Sequence, residues 1–286
     1  MTMPSKNPAF SRGFGNNAGP GQPYAGWGNA PQQQYGAPQY GAPQYGAPAP
    51  QQDQYAAPSP YGTTPDTRYM TMDDVVTKTG LSFLVTVATA AAVWAMPGNA
   101  AWGFALPAVL VAFVLGLVIS FKQIASPIAT LSYGALYGVA LGAISEAFND
   151  RFDGIVMQAL IGTFGVFAGM LVVYKTGAIR VTPKFTRWMM AALIGVLVLM
   201  VANLVAGFFT DGGLGLRDGG PLAIIFSLVV IGVAAFSLLL DFDMADEAIR
   251  RGAPAKFAWY IAFGLLVTVV WLYLEILRLL SYLQDD

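Results

Sequence analysis

Residues 221–242 read PLAIIFSLVVIGVAAFSLLLDF: an unbroken run without a charged side chain from Pro221 to Leu240, then Asp241. Roughly 20 apolar residues in a helix cross the ~30 Å hydrocarbon core of a bilayer. The stretch therefore predicts a membrane helix that ends on a carboxylate. A second acid lies further inside apolar sequence. Glu275 sits in Trp271-Leu272-Tyr273-Leu274-Glu275-Ile276-Leu277, and no charged residue separates it from Phe257. Acidic groups in lipid are expensive and generally turn inward onto a pathway or a partner.

The same reading extends along the chain. Seven apolar stretches are long enough to span, at about 80–97, 101–121, 125–147, 154–174, 186–209, 221–242 and 257–282. The expected fold is all-α, a polytopic bundle with short connections at Pro97-Gly98-Asn99 and Asn149-Asp150-Arg151-Phe152-Asp153. Composition agrees: 56% of the 286 residues are hydrophobic and 11% charged, against about 25% charged in soluble domains. Basic residues concentrate on one side of the spans. Lys6, Arg12, Arg68, Lys78, Lys122, Lys175, Arg180, Lys184, Arg187, Arg250, Arg251 and Lys256 fall there, while the other side receives Arg151 and Arg217, with Arg278 inside the last span. Positive charge stays on the cytoplasmic side, so the N-terminus is expected inside and the C-terminus outside.

Residues 1–68 differ from 69–286. The first part is rich in Gly, Pro, Gln and Tyr and repeats Gln-Tyr-Gly-Ala-Pro three times from Gln34 to Pro48. Such a segment buries too little apolar surface to offset its ordering entropy and is expected to be disordered. It lacks the apolar core of a signal peptide. Thr71-Met72-Asp73-Asp74 then opens a helix, with Thr71 as cap and Asp74 answering it three residues on.

The chain has no Cys and no His. Thiolate nucleophiles, iron–sulfur clusters and thiolate zinc sites are excluded, as are Ser-His-Asp triads and HExxH metalloproteases. Ser145 has no histidine to activate it, and no enzyme activity or resident cofactor is expected. A net charge of -1 offers nothing to nucleic acid. The carboxylates remain as the carriers of chemistry.

Asp246 with Arg250, and Glu247 with Arg251, have i,i+4 spacing and read as a solvated helix end closed by Gly252 and Pro254. Asp241 follows the apolar run directly, and Asp243 stands two residues on. Arg278 is placed to pair with Glu275 three residues before it. Glu146 falls near the outer end of the third span and is expected to face a vestibule. Gly134, Gly138 and Gly142 recur every four residues and predict close helix packing; Gly165 and Gly169 repeat the device in the fourth span.

Three blocks carry a family resemblance. They are Asn7-Pro8-Ala9-Phe10; Leu136-Tyr137-Gly138-Val139-Ala140-Leu141-Gly142-Ala143-Ile144-Ser145; and Leu238-Leu239-Leu240-Asp241-Phe242-Asp243 with Trp259-Tyr260 and Trp271 to Leu280. The chain resembles the Bax inhibitor-1 superfamily, in particular bacterial members with long Pro/Gly-rich tails. The resemblance implies seven helices with the last near the bundle centre, a bacterial plasma-membrane location, and a proton-sensitive calcium leak gated by an acidic pair. Asp241 matches the sixth-helix acid and Glu275 the seventh-helix acid, where the family pattern has Asp. Lys122 is the nearest match to a basic residue that contacts the pair in some members. The stretch between Asp241 and Glu275 is longer than the family pattern.

Two acids in one low-dielectric site cannot both ionise cheaply and share a proton. Ionised, their oxygens suit Ca²⁺, so Asp241 and Glu275 are the expected, transient Ca²⁺ ligands. Counted from the outer side, Asp241 is about 30 Å deep and Glu275 about 12 Å. They meet only where helices tilt, break or shift in register. Two other readings stand beside the leak. One is a regulatory protein that modulates a membrane protease or stress response, with the tail and glycine stripe as docking surfaces. The other is a proton-coupled transporter, although no internal repeat supports it.

Overall fold

The computed structural model describes residues 68–96, 100–210 and 212–285. The repeat-bearing tail, Asn7-Pro8-Ala9-Phe10 and the Pro97-Gly98-Asn99 turn lie outside the described residues. Among the described residues seven long helices follow one another: α1 Met72–Trp94, α2 Ala100–Lys122, α3 Pro127–Arg151, α4 Ile155–Thr176, α5 Pro183–Ala206, α6 Pro221–Arg250 and α7 Ala258–Gln284. All seven are long and apolar enough to cross a membrane. The protein is a multi-pass membrane protein. No strand occurs among the described residues; Tyr69 and Pro254 form an isolated bridge.

Local chemistry sets the helix ends. Thr71 Oγ1 accepts from the Asp74 amide at 3.3 Å, and Asp74 Oδ2 accepts from the Thr71 amide at 3.0 Å. These reciprocal bonds satisfy amides that the first turn leaves without partners. Helix α6 runs past the apolar stretch to Arg250, because Asp246–Arg250 at 3.0 Å and Glu247–Arg251 at 2.6 Å support its last turns. It stops at Gly252, whose φ of 67° closes the end, with the Ala253 amide returning to the Ala248 carbonyl. The third connection is shorter than expected. Helix α3 continues through Arg151, and Gly154, at φ 76°, makes the turn.

Helix α7 is the centre of the bundle. In its most apolar stretch 72% of residues are buried, against 11% in α5. It packs against α1, α3, α4 and α6, and Leu266, Leu272 and Leu277 are fully buried in the core. Beside it, α1 and α3 approach closely. Gly134, Gly138 and Gly142 lie against Ser82, Thr86, Thr89 and Ala90 of α1, and a Cβ on Gly134 would stand 2.8 Å from Thr86 Oγ1. The facing α1 hydroxyls bond back into their own helix, so the contact leaves no polar group unpaired. Gly165 and Gly169 do not repeat this contact: a Cβ at either would meet nothing within 4 Å. The two glycines face outward from α4, where no neighbouring helix lies among the described residues.

At the end of the bundle that carries the basic connections, the segment leading into α1 is stapled to the α6–α7 connection. The Met70 amide donates to the Ala253 carbonyl and the Ala255 amide to the Arg68 carbonyl, both at 2.8 Å. Lys78 donates to the Ala255 carbonyl at 2.6 Å.

Candidate functional site

Helix α7 carries two separate polar stations. The first is built around Asp241. This residue falls on the face of α6 that meets α7, and Gly264 makes room for its carboxylate: a Cβ there would stand 3.7 Å from Asp241 Oδ1. Asp241 opens onto a cleft of about 220 Å³ that is also lined by Ser120 of α2 and by Tyr260 and Thr268 of α7. No other charged side chain lines this cleft among the described residues. Thr268 Oγ1 donates to the Gly264 carbonyl at 3.2 Å, within its own helix. Asp241 Oδ2 is buried and has no hydrogen-bond partner. An unpaired buried carboxylate oxygen is costly, and a proton or a passing cation would relieve it.

The second station is Glu275, which is 3% exposed. Its Oε1 accepts from Arg278 Nη1 at 2.9 Å and from Arg217 Nη2 at 3.1 Å. Oε2 is buried without a partner. Arg278 is one turn away on the same helix, as its spacing suggested. Arg217 arrives from the α5–α6 connection, which is shaped to deliver it. Asn203 Oδ1 accepts from the Leu214 amide at 3.0 Å and the Leu216 amide at 3.4 Å. Leu216 is buried with Val196, Phe226 and Val230. Gly212, Gly213, Gly215 and Gly219 all have positive φ, a backbone state that other residues adopt at a cost. Burial and the neighbouring Arg278 draw the Arg217 guanidinium below its ordinary range, and the Glu275 carboxylate opposes them. Close by, the Ser145 and Tyr273 hydroxyls bond at 2.7 Å and tie α3 to α7.

The two acids are not brought together. Asp241 lies against Gly264 and Thr268, and Glu275 is seven residues beyond Thr268, about 10 Å further along α7. Glu275 thus stands almost two turns past Thr268 along α7. The remaining residues singled out in the sequence lie elsewhere. Asp243 is half-buried and lines no part of the Asp241 cleft. Glu146 is half-buried near the end of α3. Lys122 is exposed at the end of α2, and Ser120 takes the place beside Asp241 instead.

With this arrangement in view, comparison with known proteins gives one family match. The Bax inhibitor 1 like family model covers residues 7–285, almost the whole chain. The protein belongs to the Bax inhibitor 1 like family. No curated protein matches the chain. Within this Bax inhibitor 1 like protein, the residues that local spacing did not reveal are Arg217, Ser120 and Thr268. Two of the three had a faint signal. Arg217 is one of few basic residues on its side and sits in a glycine-rich connection, while Thr268 is a small hydroxyl in an otherwise apolar part of α7.

Proposed function

We propose that the protein is a proton-sensitive leak for Ca²⁺ or a similar hard cation, with Asp241 as sensor and the Glu275 clamp closing the opposite end of the route along α7. The Asp241 carboxylate carries the reading: one oxygen is buried and unpaired in a hydroxyl-lined cleft against the central helix. Family membership supports it, because the resemblance implies such a leak. In this version a single acid titrates instead of a pair. Protonated, Asp241 is neutral and leaves nothing to attract a cation. Ionised, it offers a hard oxygen beside the Ser120 and Thr268 hydroxyls. Ca²⁺ prefers six to eight oxygen ligands, and no group of three acidic side chains converges among the described residues. A cation therefore passes with much of its water, as a leak requires, and is not held. The protein moves ions and catalyses no reaction, in a bacterial plasma membrane with its N-terminus inside and its C-terminus outside.

The test is Ca²⁺ entry into proteoliposomes between pH 5 and pH 8. Each ionisation of Asp241 adds negative charge to the cleft, so flux rises with pH. Asp241→Asn lowers flux and flattens this profile. If folded Asp241→Asn protein keeps both the wild-type flux and its pH response, the reading fails.

A further inference from the structure

Helices α1 and α4 both pack on α7 but leave a crevice between them. Its volume is about 700 Å³, within the roughly 300–1,000 Å³ of ligand sites. Leu265 and Val269 of α7 and Phe242 of α6 form the floor, and Phe83 and Phe167 are among the walls. The rims carry Val76 and Phe164, both exposed. The crevice therefore opens sideways, at a depth where the surroundings of a multi-pass protein are lipid.

Two polar features mark one end. Thr79 lines the crevice, is 7% exposed and leaves its hydroxyl buried without a partner. It is an exception in its helix, since Ser82, Thr86 and Thr89 return their hydroxyls to carbonyls four residues back. A buried hydroxyl with no partner is costly, and an acceptor from outside the chain would satisfy it. At the mouth stand Lys175 and Asp246. Asp246 is already engaged, paired with Arg250 at 3.0 Å and accepting from the Tyr174 hydroxyl at 3.4 Å. Lys175 forms no ion pair among the described residues, and two more exposed basic residues follow, Arg180 on the next connection and Lys184 in the first turn of α5. The mouth thus offers positive charge, an unsatisfied donor lies about two turns in along α1, and aromatic and aliphatic side chains line the rest.

We propose that this crevice binds one anionic phospholipid, with an acyl chain on the Phe242–Leu265–Val269 floor, an ester carbonyl accepting from Thr79 and the phosphate at Lys175. The match is in the order of the chemistry: cation, hydroxyl donor, apolar trough. A zwitterionic lipid fills the trough equally well but gains less at Lys175.

Full-length protein is placed in phosphatidylcholine nanodiscs containing a small fraction of phosphatidylglycerol with a photoactivatable acyl chain, and adducts are mapped by mass spectrometry. Labelling of Val76, Phe83 and Phe164 is expected to exceed that of the lipid-facing α5 residues Leu197 and Val201. Excess phosphatidylglycerol competes for it and phosphatidylcholine does not. Gly80→Phe fills the crevice where a Cβ meets nothing within 4 Å, so the protein folds and the crevice adducts are lost. Lys175→Gln lowers them about fivefold, the effect of one basic residue at an anionic surface. Labelling no higher than on α5, or unchanged by Gly80→Phe, or competed equally by both lipids, overturns the proposal. So does a photoreactive amino acid at Val76 that crosslinks to residues 1–67 or to a second copy of the chain instead of lipid.

Discussion

Arg217 donates to Glu275 Oε1 at 3.1 Å across 58 residues of chain, so the α5–α6 connection is held to the central helix by a charged hydrogen bond. Both arginines that meet Glu275 keep about a quarter of their side chains exposed, 29% for Arg217 and 27% for Arg278, while the carboxylate is buried. The carboxylate is the member of this group that cannot do without partners.

Arg217→Ala is expected to destabilise the protein by about 1–3 kcal/mol, less than for a fully buried pair because Arg278 remains and water reaches the guanidinium. Glu275→Gln destabilises it too, by leaving two guanidiniums without an anion. The double variant loses less than the sum of the two, which a double-mutant cycle on thermal unfolding in detergent measures. Strict additivity would show that the contact contributes nothing. If the clamp closes the route, Arg217→Ala also raises Ca²⁺ flux in proteoliposomes.

Lys122→Ala is expected to leave the pH profile of flux unchanged, because Lys122 is exposed and absent from the Asp241 cleft. Ser120→Val removes a hydroxyl from the cleft wall and lowers flux. The opposite ranking, with Lys122 dominant, would place the basic partner of Asp241 at the end of α2.

Gly264 tests the room around Asp241. A Cβ there makes ordinary contact with the carboxylate at 3.7 Å, so Gly264→Ala folds with a change under about 1 kcal/mol, the size of the Gly–Ala difference in helix propensity. Gly264→Leu occupies the cleft and reduces flux while the bundle still forms by circular dichroism. Undiminished flux in Gly264→Leu would separate the route from this cleft.

The two glycine rows should respond oppositely. At Gly138 a methyl group would overlap the Thr89 hydroxyl and the Thr86 carbonyl; backbone cannot step aside cheaply, and Gly138→Ala is expected to cost about 1–3 kcal/mol, the usual penalty of overpacking. At Gly165 a methyl group meets nothing, and Gly165→Ala holds or raises the unfolding midpoint through better helix propensity. Equal losses at both positions would contradict the packing of α1 on α3.

Much of this fold can be read one segment at a time. Seven spans, the Thr71–Asp74 cap, the ion-paired end of α6 and the Glu275–Arg278 pair depend on residues within a few turns of each other, where spacing fixes geometry. Span length is a local sum of apolar side chains measured against a fixed bilayer. The solvated extension of α6 to Arg250 follows from the same i,i+4 spacing once its charges are counted as helix and not as loop. The glycine rows show the limit of local reading: Gly138 and Gly165 stand in similar small-residue patterns, and only the position of α1 makes one a contact and leaves the other open.

Seven apolar spans among the described residues, and the setting of Asp241 and Glu275 as carboxylates within them, are legible in the sequence alone, because hydrophobic run length and side-chain charge are properties of single segments. Tertiary structure decided what each acid faces. The register of α6 on α7 sets Asp241 against Gly264 and Thr268, about 10 Å short of Glu275 along the helix. The Asn203 anchor and the positive-φ glycines of the α5–α6 connection bring Arg217 to Glu275. Register and loop path depend on how whole helices pack, and no spacing within one helix encodes them.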